Sequence, residues 1–175
     1  MSLSSSPSHL HRRLVAASTL YLALCPALAV GLGAASVATA DSHAAEASIK
    51  YRQKLMSAVG ANMGAIGDIL KNGLELPGHV ENHAGQMAAS AKLIAAAFEK
   101  PISEGVTDAK PKIWEDWARF EQAIADFEKA AKALQTAAAG GDPKAVGPAV
   151  KALGDRCGDC HKPFRKPKEE SYKNR

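Results

Sequence analysis

Ile49–Leu70 reads IKYRQKLMSAVGANMGAIGDIL, and one seam returns through it every three or four residues: Ile49, Arg52, Met56, Val59, Met63, Ile66 and Leu70. That alternation is the period of packed α-helices rather than of strands. Asn72-Gly73 stops this helix and Pro77-Gly78 begins the next, whose seam is Val80, Ala84, Met87, Ala91, Ile94 and Phe98. A third seam follows Pro111 through Ile113, Trp117, Phe120, Ile124, Phe127, Ala131 and Leu134, and ends at Gly140-Gly141. Asp142-Pro143 then reads as a helix cap followed by a first-turn proline. The last seam is Val146, Val150, Leu153, Cys157, Cys160 and Phe164. Four amphipathic helices with mostly short connections predict an all-α, antiparallel four-helix bundle. Residues 99–110 form the longest connection, and Gly147-Pro148 should kink the fourth helix or delay its start.

Composition agrees with helices. Aromatic residues make up 5% of the 175 positions, too few for a β-sandwich or barrel, and there is no Gly-rich phosphate loop of a nucleotide-binding enzyme. The net charge of +4 is too small to imply nucleic-acid binding without a clustered basic face.

Residues 1–40 read differently from the rest. They hold no Asp or Glu, carry His11, Arg12 and Arg13, continue through the apolar run Leu14–Val30, and end in Val37-Ala38-Thr39-Ala40. A basic start, an apolar middle and small residues at the end make a secretory signal peptide. The expected organisation is thus a signal peptide over 1–40 and a bundle over 41–175, with a frayed start over Asp41–Ala47 and a short basic tail. No membrane segment is expected after cleavage. Of the 22 basic residues, losing Arg12 and Arg13 leaves 20 against 18 acidic ones, a net charge of +2. Cys25 leaves too, so Cys157 and Cys160 remain, two thiols too close in sequence to form a disulfide framework.

Those two belong to Cys157-Gly158-Asp159-Cys160-His161. Cys-x-x-Cys-His is the attachment signature of a c-type haem. Positions i, i+3 and i+4 share a helix face, so two thiols can bond the porphyrin vinyl groups while the imidazole reaches the iron. A thioredoxin-like redox pair needs a βαβ context, and a zinc site needs further ligands that no second Cys pair supplies. One covalent haem c per chain is the expected cofactor, with His161 as the proximal iron ligand.

The haem motif lies in the last helix, and with this placement the stretch Ile49–Arg165 resembles class II cytochromes c, the cytochrome c' family. Three segments carry the likeness: Lys50–Met56, Pro111–Trp114 with Phe120, and Cys157–His161 with Phe164-Arg165. The resemblance implies a bundle holding one haem, a bacterial periplasmic location and, in many members, a homodimer through the first two helices. It also places Met56 at the distal position facing the iron. In high-spin members that position holds a non-ligating residue and the iron stays five-coordinate; in low-spin members a Met there binds the iron. The wording Arg52-Gln53-Lys54-Leu55-Met56, followed by small Ala58, Gly60 and Ala61, looks more like the low-spin branch. Met63 and Met87 read as core.

Arg52 stands on an apolar seam, where an unpaired charge is costly. A haem propionate would offset that cost, and the resemblance puts the equivalent Arg near the propionates, with Gln53 beside it. Phe164 and Trp117 read as pocket or core packing. His79 and His83 read as solvated helix residues. Lys162, Arg165, Lys166, Lys168, Lys173 and Arg175 read as a solvated tail that could steer an acidic redox partner.

Two functions follow. With Met56 and His161 both on the iron, the chain is a periplasmic one-electron carrier, since such ligation raises the potential; this is the leading expectation. With Met56 off the iron, it is a five-coordinate haem that binds nitric oxide or carbon monoxide. An enzyme is not expected, for no distal His–Arg pair is evident.

Overall fold

A computed structural model describes residues 33–174, with side chains for all of these except 33–40 and 143. Residues 1–32, most of the expected signal peptide, lie outside the described residues. The elements are helices α1 (Gly33–Asn72), α2 (His79–Phe98), α3 (Lys112–Glu115), α4 (Trp117–Ala139) and α5 (Pro143–Phe164), followed by single 3₁₀ turns at Lys168–Glu170 and Tyr172–Asn174.

The four long helices form the bundle, and the turns between them use the chemistry the sequence offers. Gly73 takes φ 61° after α1, and Leu74 N–H donates back to the Ile69 carbonyl at 3.0 Å, a left-handed stop that satisfies an orphan carbonyl. Gly141 takes φ 69° between α4 and α5. Asp142 then caps α5, its carboxylate accepting from Lys144 N–H at 2.9 Å. The buried face follows the expected seams, with Ile66, Met87, Ile113, Leu134 and Leu153 almost wholly excluded from water. Each such side chain contributes roughly 1.5–3 kcal/mol of transfer free energy. Phe120 sits at the hub of an aromatic cluster, 5.4 Å from Phe98, 5.5 Å from Trp117 and 5.3 Å, edge-on, from Phe164.

Several local expectations are corrected. Asp41–Ala47 is helical, not frayed; Lys50 pairs with Glu46 at 2.6 Å one turn away. Leu70 is exposed and its neighbour Ile69 is buried, because a 3.6-residue helix drifts off a strict heptad seam. The third seam is split: Asp116, at φ −135° and ψ 54°, separates α3 from α4. The split lets the Trp114 indole N–H donate to the Phe98 carbonyl at 2.7 Å, one of the unpaired carbonyls in the last turn of α2. The fourth helix is not delayed, for it starts at Pro143 and runs through Pro148. Gly147 makes this tolerable, since it lacks the Cβ that a following proline ring would strike in a helix.

Packing is sequential: α1 lies on α2, α2 on α4, and α4 on α5. Among the described residues, no Cα of α1 comes within 8 Å of one in α5. The bundle therefore parts along that side.

Candidate haem site

The parted side of the bundle holds a cavity of about 380 Å³, within the range of small-molecule and cofactor pockets. α5 contributes Cys160, His161 and Phe164; α1 contributes Arg52, Met56 and Gly60. Ile94, Phe98, Ile113 and Phe120 make its apolar back wall. The expected site residues from opposite ends of the sequence thus meet in one place. Gln53 lines the cavity too, with its amide donating to the Val106 carbonyl at 2.7 Å. Cys157 stands one turn before Cys160, outside the lining, and its thiol donates to the Leu153 carbonyl at 3.5 Å.

The titrating groups on α5 are tuned by burial. Both thiols are free. Burial, then the neighbouring Cys157, pushes the Cys160 thiol up to about 11; burial also raises Cys157. Burial lowers the pKa of His161, and the charge of Arg165 lowers it further. Its imidazole is therefore held neutral, the form that binds a metal.

Arg52 is buried, as its seam position implied, at 3% exposure. Its guanidinium donates to three backbone carbonyls: Nε to Ala97 at 2.8 Å, Nη1 to Ile102 at 2.8 Å and Nη2 to Lys100 at 2.6 Å. It also lies over the rings of Phe98 and Trp114, 4.7 and 5.5 Å from their centroids. The expected offset to its burial was a propionate. Backbone carbonyls already offset part of that cost, for α2 has no basic residue in its last turn, and Arg52 reaches across from α1 to that helix end and the loop beyond it.

The remaining candidates separate cleanly. Met87 is fully buried core, and Met63 packs against the core with its methyl group at Gly154 of α5. Trp117 belongs to the aromatic core and Phe164 to the cavity wall. His79 is exposed. His83 is half-exposed, and its Nδ1, 2.7 Å from Asn62 Oδ1 of α1, links the two helices.

The basic tail was expected in solvent and is instead partly built into the site. Ser171 is buried, and Tyr172 and Lys173 line the cavity. Asp108 draws them in, accepting from Ser171 Oγ at 2.7 Å and from Tyr172 N–H at 2.9 Å. Nothing in the sequence marks that pairing, which joins positions more than sixty residues apart.

The cavity fits a haem by its chemistry. It is apolar along most of its wall and polar at the Arg52 end, and it carries a neutral imidazole and a free thiol on one side. A helical bundle with this motif on its last helix defines a class, the bundle-type c cytochromes. Comparison with known proteins agrees. The sequence profile described as Cytochrome C' matches residues 47–165. A cytochrome c' from Rhodospirillum rubrum is 37% identical over 135 residues, covering 75% of this chain and 92% of the relative. The structure of cytochrome c prime from Shewanella frigidimarina superposes with a TM-score of 0.65 at 29% identity, over 70% of this chain and 97% of that one. A nitric oxide complex of a cytochrome c prime mutant from Alcaligenes xylosoxidans gives 0.63 at 29% identity, with 70% and 97% covered. This chain belongs to the cytochrome c' family, and its cofactor is a covalently attached c-type haem.

Proposed function

We propose that this chain is a bacterial periplasmic monohaem cytochrome, not an enzyme, that binds a diatomic gas, nitric oxide or carbon monoxide, on the iron face opposite His161. The carrying observation is the cavity between α1 and α5, which His161 lines from α5 and Met56 and Gly60 line from α1. The nitric oxide complex of the Alcaligenes relative supports this reading over the Met/His electron carrier that the sequence favoured.

In this reading Cys157 and Cys160 hold the haem through thioether bonds and His161 binds the iron. When bound, the haem would supply an iron able to take a diatomic gas. Burial keeps the His161 lone pair available. Ile94, Phe98, Ile113 and Phe120 exclude water from the pocket. Arg52 and Gln53 clamp the loop 99–110 that closes one end. Export is supported by the signal-like start of the sequence, and no helix among the described residues is long and apolar enough to cross a membrane.

One observation favours the second reading: the Met56 side chain lines the same cavity as His161, and a thioether there would suit ferrous iron. Spectra of the matured protein separate the two. The gas-binding reading expects a high-spin ferrous spectrum that changes at once with carbon monoxide, in both the unmutated protein and Met56→Ala. The carrier reading expects a low-spin spectrum inert to carbon monoxide until Met56 is removed. Haem that leaves the unfolded protein in acidic organic solvent would refute covalent attachment.

A further inference from the structure

We propose that residues 166–174 form a strap that brings Lys173 into the haem site as a binding residue for a haem carboxylate. The family match ends at Arg165, so the strap lies beyond it. Its composition, KPKEESYKN, offers little apolar surface to drive packing. Hydrogen bonds hold it instead. Lys166 N–H donates to the Asp108 carbonyl at 2.8 Å and Lys166 Nζ to the Thr107 carbonyl at 3.2 Å. Further along, Ser171 Oγ and Tyr172 N–H occupy the two carboxylate oxygens of Asp108, and Lys173 N–H turns back to Ser171 Oγ at 3.3 Å.

The strap completes a polar end of an otherwise apolar cavity. Arg52, Gln53, Thr107, Asp108, Tyr172 and Lys173 all line it, and Arg52 and Gln53 are tied to the same loop that carries Thr107 and Asp108. A haem has one polar edge, with two propionate carboxylates, and burying a carboxylate beside apolar walls is costly without a cationic partner. Of the five N–H groups of a guanidinium, Arg52 commits three to backbone carbonyls. Asp108 has both oxygens engaged by neutral donors. Lys173 lines this wall from an exposed position, and no carboxylate of the described residues pairs with its ammonium. Charge and position thus match it to a propionate.

Lys173 holds this role only if haem fills the cavity as proposed above, and one set of matured, haem-loaded variants distinguishes the two. A cation beside the haem favours the ferrous form, so Lys173→Gln should shift the reduction potential downward while Lys173→Arg keeps it. Deletion of 167–175, which removes Lys173 together with the strap, should also shift the potential downward. Proton NMR of the unmutated protein should show contacts from the Lys173 side chain to the haem propionate protons. An unchanged potential in Lys173→Gln, with haem still covalently bound, would overturn the assignment of Lys173 alone. Haem that is not covalently held in the unmutated protein would overturn both readings.

Discussion

Arg52 shows how much one residue can carry between elements. It sits on α1, yet the groups it satisfies are carbonyls at the end of α2 and in the loop beyond it. Three charge-assisted hydrogen bonds and two aromatic faces compensate a buried cation. Arg52→Met should therefore destabilise the protein by about 3–5 kcal/mol, because three buried carbonyls lose their donors at once. Urea unfolding checks this, and Arg52→Lys should recover only part of the loss, since an ammonium cannot reproduce the fork geometry. A loss under 1 kcal/mol would show that water replaces the guanidinium without cost. The burial of Arg52 was legible in its seam position. Its partners were not, because backbone carbonyls leave no mark in a sequence.

At the scale of elements, α5 matters most, since it carries the haem motif. Its start depends on a local signal that sequence displays well, the Asp142 cap before Pro143. Asp142→Ala should cost about 1 kcal/mol, seen as a lower thermal midpoint. Gly154, in the middle of the helix, offers the opposite change. A Cβ there would meet the Met63 methyl at 3.8 Å, an ordinary contact, so Gly154→Ala should stabilise by about 0.5–1 kcal/mol. A destabilised Gly154→Ala would mean that α1 and α5 need closer approach when haem is bound. The break at Asp116 was not legible, for Ile113, Trp117 and Phe120 keep a helical period straight across it. The indole of Trp114, reaching for a carbonyl of α2, decides where α3 ends.

The whole molecule is a row of helices closed on three sides and parted on the fourth. The parted side exposes apolar wall that only a bound group can cover, so stability and cofactor are coupled. Chain produced without haem attachment should unfold at lower urea concentration, with a smaller m-value and increased binding of the dye ANS, compared with the haem-loaded protein. Identical unfolding curves would show that the helices close the gap themselves. Cofactor identity was legible from three residues of α5, because covalent haem attachment demands a fixed local spacing. The pocket around it draws on α1, α2, α3, α4 and α5, and on the strap after Arg165.

By itself the sequence determined the helical class, the turns at Gly73 and Gly141, the cap at Asp142, the Cys157–Cys160–His161 attachment motif and the burial of Arg52. Each depends on neighbours within a few residues, where periodicity and backbone preference act directly. Tertiary structure alone decided what Arg52 binds, that Met56 and Gly60 face His161 across one cavity, and that Asp108 draws Ser171, Tyr172 and Lys173 into its wall. Those depend on groups forty-five or more residues apart meeting in space, and on polar partners chosen by distance and geometry rather than by residue type.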